Sequence, residues 1–227
     1  MTRPAGARPP GPRERLLLVG AGHSHLHVLL HATTLDEAGY DVTLVAPASF
    51  FYSGAAAAVA TGRLPAAAAE VDVAALAARS GVRHLAGRLA AFDPLCGWGR
   101  TEDGDEVHWD VACLNLGSTT PWPADLQRPV GTDLSRTAIL RAKPLDDLRR
   151  LVDLPCDARY PLVVIGGGAS GVEIAAQLAV ARSPHTAGVV LVEQGPWITP
   201  GFPEPSGDPM RAMLAMAGLG RGMHRHT

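Results

Sequence analysis

Two stretches of this chain, about 146 residues apart, repeat one pattern, and that repeat limits the fold more than any other feature. The first reads Leu16-Leu-Leu-Val-Gly20-Ala-Gly22-His-Ser-His25, the second Leu162-Val-Val-Ile-Gly166-Gly-Gly168-Ala-Ser-Gly171. Each is a short apolar run of strand character, a glycine turn, and a segment of helical period. Helices are expected over residues 23–35 and 170–182. A further apolar run follows each helix: Val42-Thr-Leu-Val45, and Val189-Val-Leu-Val192 ahead of Glu193. Strand–turn–helix–strand units return their strands parallel, so the fold class is α/β with helices on the faces of parallel sheets.

The glycine spacing has a chemical reason. In G-x-G-x-x-G the first glycine permits a tight turn and the second lets the backbone approach a pyrophosphate. The third lets helix and strand pack closely, while the helix N–H groups face the anion. Gly166, Gly168 and Gly171 satisfy the pattern in full, and Glu193 follows 22 residues after Gly171 at the end of the next strand. A carboxylate there accepts hydrogen bonds from an adenosine ribose and repels a 2′-phosphate, favouring NAD over NADP. The first copy departs twice. His25 stands at the third glycine position, and Val45-Ala46-Pro47 stands where the ribose acid is expected. A pyrophosphate contact through Gly20 and Gly22 is retained, with His23 and Ser24 in the same turn.

Between the repeats, Val71–Ser80 reads as a short helix with Asp72 near its start. Residues 82–116 read as an antiparallel meander ending in a buried strand, Val111–Leu116. A proline-rich stretch follows (Pro121, Pro123, Pro129), then a helix over Leu145–Leu151. The expected organisation is a disordered arm at 1–13, a dinucleotide domain at 14–120, a linker at 121–142 and a partial second domain at 143–227. Asp208-Pro209 opens a possible last helix bearing Met210, Met213, Leu214 and Ala217 on one face.

Of the 227 residues, 47% are hydrophobic and 19% charged, which excludes wholesale disorder. Twenty Lys and Arg against 22 Asp and Glu leave a net charge of −2, with no footprint for nucleic acid or an anionic membrane. Cys96, Cys113 and Cys156 form neither a disulfide framework nor a zinc cluster. No transmembrane segment and no export signal are read, so the expected location is the cytoplasm.

With these residues in view, the chain resembles the two-dinucleotide-binding-domain flavoproteins of the pyridine nucleotide-disulfide oxidoreductase superfamily. Gly20-Ala-Gly-His-Ser-His25, Phe51-Tyr-Ser-Gly54, Leu116-Gly117-Ser118-Thr-Thr-Pro121 and Ala142-Lys-Pro144 are most similar to one branch. That branch comprises the oxidoreductases found beside or fused to selenide, water dikinase; type II NADH dehydrogenases and sulfide:quinone oxidoreductases are nearer relatives. The resemblance covers about residues 15–200. It implies FAD on the first fold and NAD(P)H on the second, with hydride passing to the flavin and electrons onward to a quinone-like or other small acceptor. Leu116-Gly117-Ser118 matches the second FAD-contact motif, usually Ala-Thr-Gly, with Asn115-Leu116 where Ala-Thr is commoner.

By position in that family, Tyr52, Ser53 and Gly54 would lie near the isoalloxazine, Glu173 near the nicotinamide and Lys143 near the domain junction. The absence of a C-x4-C or C-x2-C pair excludes disulfide reduction. The family closes its FAD site with a later Gly-Asp motif, which Gly207-Asp208 matches only as a dipeptide. The chain is therefore expected to be a truncated or frame-altered member, its missing part supplied by a partner chain. Two alternatives stand beside this: a non-catalytic dinucleotide-binding remnant, and a sulfide:quinone oxidoreductase.

Other features are expected to be structural. His23, His27 and His31 fall at i, i+4 and i+8 but gain no acid before Asp36, so no metal site is expected. Cys156 is expected to pack rather than react. The alanine runs 55–60 and 66–69 read as helix filler, and Asp146-Asp147 with Arg149-Arg150 as a solvated helix face.

Overall fold

The first apolar run forms strand β1 (Glu14–Val19), followed by helices α1 (His23–Leu30) and α2 (Ala32–Glu37) and strand β2 (Tyr40–Ala46). These belong to a computed structural model that describes residues 12–121, 139–143, 147–148, 150–153, 160–181, 186–195 and 198–199. Then come β3 (Ser49–Phe51), α3 (Ala56–Ala60), β4 (Glu70–Asp72), α4 (Val73–Arg79) and β5 (Arg83–Ala86). The remaining elements are β6 (Leu89–Asp93), β7 (Trp98–Thr101), β8 (Glu106–His108), β9 (Val111–Leu114), β10 (Tyr160–Ile165), α5 (Ala169–Ala181) and β11 (Thr186–Val192). Contacts divide the chain into two units, residues 1–51 with 70–117, and residues 52–69 with 118–227.

In the first unit a parallel sheet runs in the order β5-β2-β1-β9. Leu16 pairs with Val42 on one side and with Val111 on the other. The run Leu16–Val19 is apolar throughout because both faces of β1 are covered. Leu16, Leu18, Val42 and Leu44 pack on Leu29, Val73, Leu76 and Ala77 from the helices. Leu17, Val19 and Val45 pack on Val107 and Trp109 across the other face. Each such buried Leu or Val contributes about 1.5–3 kcal/mol by leaving water. The second layer is the antiparallel sheet β6-β7-β8, with Phe92 stacked on Trp109 at a ring separation of 4.8 Å.

Several expectations are corrected. The helix expected over 23–35 is two helices, because His31 leaves helical geometry (φ −113°, ψ 18°) and its N–H also reaches back to the Val28 carbonyl. The helix expected from Val71 starts at Val73, since Asp72 ends β4 and accepts the Ala75 N–H at 2.8 Å as its cap. The meander over 82–116 is realised only by β6 to β8, while β5 and β9 join the parallel sheet. The strand expected to be buried is an edge strand among the described residues: Val111 is 41% and Leu114 55% exposed, and Cys113 is exposed too.

In the second unit β10 and β11 pair in parallel, Leu162 opposite Val189 and Ile165 opposite Val192. Helix α5, matching the expected 170–182 within a residue at each end, buries Val172, Ala175, Ala176 and Leu178. Val172 and Ala176 meet Leu191 and Ile198. Helix α3 lies against α5, with Arg63 Nη1 donating to Gln177 Oε1 at 3.0 Å. The opposite face of the β10-β11 pair leaves Val163 and Ile165 56% and 81% exposed.

Among the described residues no helix is long and apolar enough to cross a membrane. The arm at 1–11, most of the expected linker, much of the expected 145–151 helix, Cys156, Gly207-Asp208 and the helix expected after Asp208 lie outside the described residues.

Candidate functional site: two glycine turns

The first turn is hung between the two strands that flank β1. The Gly20 N–H donates to the Val45 carbonyl at 2.8 Å, and the Asn115 N–H donates to the Val19 carbonyl at 2.9 Å. Gly20 has φ +87°, and a Cβ there would run into the Asn115 carbonyl, so both conformation and space demand glycine. Gly22 caps α1 without a side-chain hydrogen bond, and the first turn of α1 carries no acid. The N–H groups around His23, Ser24 and His25 therefore present the positive end of the helix with no built-in anion.

His25 shows how the turn closes without its third glycine. Its ring is 4% exposed, and Nδ1 donates to the Gly20 carbonyl at 2.7 Å, which places a proton on Nδ1. Helix and strand are thus tied by a side-chain hydrogen bond where a glycine would allow bare contact. His23 is exposed and sets its ring edge-on to Phe50, centroids 5.3 Å apart. Ser24 is exposed. At the end of β2, Ala46 is buried and its carbonyl accepts from His84 Nε2 at 2.9 Å and the Gly87 N–H at 3.0 Å, while Pro47 is exposed.

Gly117 and Ser118 follow β9 and are exposed, with nothing within 4 Å of a Cβ on Gly117. Tyr52 and Ser53 are exposed as well. The Tyr52 ring folds over Gly54, where a Cβ would stand 2.7 Å from the phenol oxygen.

The second turn is the more regular. Gly166 has φ +105° and donates to the Val192 carbonyl at 2.8 Å. A Cβ on Gly171 would collide with the Gly166 carbonyl, so the third glycine serves the close helix–strand contact that the spacing implies. Around Gly168 nothing lies within 4 Å of a Cβ position, leaving the turn open to an approaching group.

Glu193 reaches back to this turn, accepting the Gly195 N–H at 3.0 Å on Oε1 and the Gly167 N–H at 2.5 Å on Oε2. Those two backbone donors, Gly195 foremost, hold its carboxyl below the usual range, so it is ionised at neutral pH. Thr199, buried and at φ 55°, donates its N–H to the Gly167 carbonyl at 2.6 Å. Glu173 is exposed on α5, and Lys143 is exposed with its carbonyl accepting the Thr120 N–H at 2.9 Å.

The structure therefore brings Gly166, Gly168, Gly171 and Glu193 together, and separately Gly20, Gly22, His23, Ser24 and His25. Two contacts escaped the sequence reading. Asn115 packs on both glycines of the first turn, and Gly167 is glycine because the Glu193 side chain lies against its Cα, 2.9 Å from where a Cβ would stand. The unbroken triplet Gly166–Gly168 is a signal for the second; the motif ahead of Gly117 marks Asn115 itself, but nothing in the sequence marks its contact with the first turn.

His27 and His31 set their rings 4.6 Å apart, and among the described residues no three His, Cys, Asp or Glu side chains converge as metal ligands. Cys96 and Cys113 are free thiols, and the Asp93 carboxylate pushes the Cys96 thiol up, away from a reactive thiolate.

Both turns fit a dinucleotide: each offers glycine backbone and a helix N-terminus to a pyrophosphate, and the second adds a fixed carboxylate where a ribose would bind. Solved structures share this fold. A ferredoxin reductase from Rhodopseudomonas palustris superposes with a TM-score of 0.69 at 19% identity, over 94% of this chain and 50% of that one. The sulfide:quinone oxidoreductase of Aquifex aeolicus gives 0.66 at 15%, over 91% and 50%. NDH2 of Plasmodium falciparum in complex with NADH gives 0.64 at 16%, over 91% and 47%. The chain thus spans about half the length of these structures. No curated protein matches its sequence. Residues 14–223 match the pyridine nucleotide-disulphide oxidoreductase family, and the chain belongs to that family.

Proposed function

We propose that this chain binds FAD on its first glycine turn and NAD(P)H on its second, and acts as an FAD-dependent NAD(P)H oxidoreductase. The observation that carries this reading is the second turn: an intact glycine cradle with an ionised Glu193 clamped to the Gly167 N–H. There the carboxylate accepts hydrogen bonds from the adenosine ribose and disfavours a 2′-phosphate, so NADH is preferred. On the first turn Gly20 and Gly22 admit the FAD pyrophosphate, which the uncapped N–H groups at His23, Ser24 and His25 receive. Ala46 and Pro47 border its ribose without supplying an acid. Tyr52, Ser53, Gly117 and Ser118 contact the flavin half. Glu173 and Lys143 orient the nicotinamide and the domain junction. When bound, a flavin would supply the redox chemistry: hydride from the nicotinamide and electron passage to a small acceptor such as a quinone.

The FAD-type domain is assigned to 14–120 and the NAD-type part to 143 onward. Among structural neighbours, one is described in complex with NADH and another as a sulfide:quinone oxidoreductase. These support a pyridine nucleotide donor and a quinone-like acceptor. A second reading, dinucleotide binding without turnover, is favoured by the exposure of Val163, Ile165 and Val190 on the β10-β11 pair, which is joined by no further strand among the described residues.

Equilibrium titration of the purified chain with FAD, by quenching of flavin fluorescence, and separately with NADH and NADPH tests the assignment. Saturable FAD binding and tighter NADH than NADPH binding are expected. No binding of either class would overturn both readings. Sulfide-dependent bleaching of a quinone would replace NADH oxidation as the activity.

A further inference from the structure

Histidines stand at 23, 27 and 31, four residues apart each time, so either neighbouring pair could meet along α1. The structure joins the second and third. His23 sets its ring edge-on to Phe50, whereas His27 and His31 hold their ring centres 4.6 Å apart with planes at 61°. Both residues are exposed, and among the described residues neither ring makes a hydrogen bond, so their nitrogens are unspent.

A neutral imidazole is a good ligand for divalent transition cations. A metal about 2.0 Å from one nitrogen of each ring lies ~3.2 Å from each ring centre, which sets the centres about 4.5 Å apart at a right angle and about 5.2 Å apart at the tetrahedral angle. The observed 4.6 Å falls at the right-angle end, which suits tetragonal coordination. The pair also spans the last turn of α1, where helix carbonyls present partial negative charge to a cation. Among the described residues no third His, Cys, Asp or Glu side chain joins them, so the other coordination positions fall to water. Such a site is open and needs no acid, unlike the closed site for which the sequence offers none before Asp36.

We propose that His27 and His31 form an open two-nitrogen site for a divalent transition cation, binding Cu²⁺ ahead of Ni²⁺ and Zn²⁺. The site rests on neither glycine turn. Ligation ties the two side chains across the turn that His31 ends, so the bound ion favours the folded chain.

The test is titration of the metal-stripped full chain with Cu²⁺, read by electron paramagnetic resonance, beside its His27→Ala and His31→Ala variants. Every sample carries His224→Ala and His226→Ala, which remove the other closely spaced histidines of the sequence. The parent is expected to bind one Cu²⁺ through two histidine nitrogens, to melt at a higher temperature when loaded, and to keep Cu²⁺ against equimolar Ni²⁺ or Zn²⁺. Each single replacement is expected to remove one nitrogen from the spectrum and to weaken Cu²⁺ roughly a hundredfold, the advantage of two linked ligands over one. Both side chains are exposed, so the metal-free variants are expected to melt with the parent.

One histidine nitrogen in the parent spectrum, or equal Cu²⁺ affinity in the parent and His31→Ala, would show rings that touch without chelating and would overturn the proposal. Loss of binding in His23→Ala with none in His31→Ala would move the chelate to the other pair and overturn it equally.

Discussion

At the scale of single residues, each glycine turn is decided by one side chain that closes it. In the first turn that side chain is His25, whose Nδ1 holds the Gly20 carbonyl at 2.7 Å. Replacing it by Ala removes a buried hydrogen bond and leaves a void, so His25→Ala is expected to cost roughly 1–3 kcal/mol in thermal unfolding. In the second turn it is Glu193. Glu193→Gln is expected to weaken NADH about tenfold and to narrow its advantage over NADPH, measured by competitive titration. Because backbone N–H groups hold the Glu193 carboxyl below its usual range, NADH affinity is expected to be flat from pH 8 to 5. It is lost only as pH falls through that lowered value, when protonation removes the charge. Glu193 and the three glycines of its turn were legible from spacing alone. The contact of Asn115 with Gly22 was not, because Asn115 follows β9, more than ninety residues along the chain, and pairing between distant strands leaves no local pattern.

Elements carry these residues by close packing, and two tests belong at that scale. A methyl on Gly171 collides with the Gly166 carbonyl, so α5 must move off β10. Gly171→Ala is expected to lower NADH affinity by tenfold or more while leaving FAD binding intact, because the first turn belongs to the other unit. In the first unit β1 is tied to the start of β9 by Arg15 and Asp110, whose side chains meet at 2.7 and 3.0 Å while the Arg15 N–H also donates to Asp110. That guanidinium brings the Asp110 carboxyl down to about 2. A depressed carboxyl stabilises the fold above its unfolded value of ~3.9 and loses that contribution as pH falls toward 2. Asp110→Asn is therefore expected to lower the Tm slightly at pH 7 and to flatten its decline between pH 4 and 2.

Strand–turn–helix–strand units were legible from periodicity, since α5 and both strand pairs fall where the apolar runs stand. The break at His31 and the exposed edge at β9 were not. A helical period does not register one non-helical residue, and an apolar run looks the same on an edge as in the middle of a sheet.

For the whole molecule, what the sequence announces is a repeated unit, and the structure realises it twice with unequal surroundings. Around β1 both sheet faces are covered, by helices and by the β6-β7-β8 layer. Around β10 one face is packed on α5 and the other leaves Val163, Ile165 and Val190 open. The α/β class and the family follow from the repeat, whereas the unequal burial depends on which layers cover each sheet, a property of the assembled fold.

As proposed, the two turns would hold FAD and NAD(P)H and pass hydride between them. The most direct measurement is the visible absorption spectrum of the FAD-reconstituted chain, before and after anaerobic addition of NADH. Protein-bound flavin bands near one per chain that bleach on NADH addition, more readily than on NADPH, are expected. Bound flavin that NADH leaves oxidised would contradict hydride transfer by this chain, and a protein that stays colourless after incubation with FAD would contradict flavin binding at the first turn.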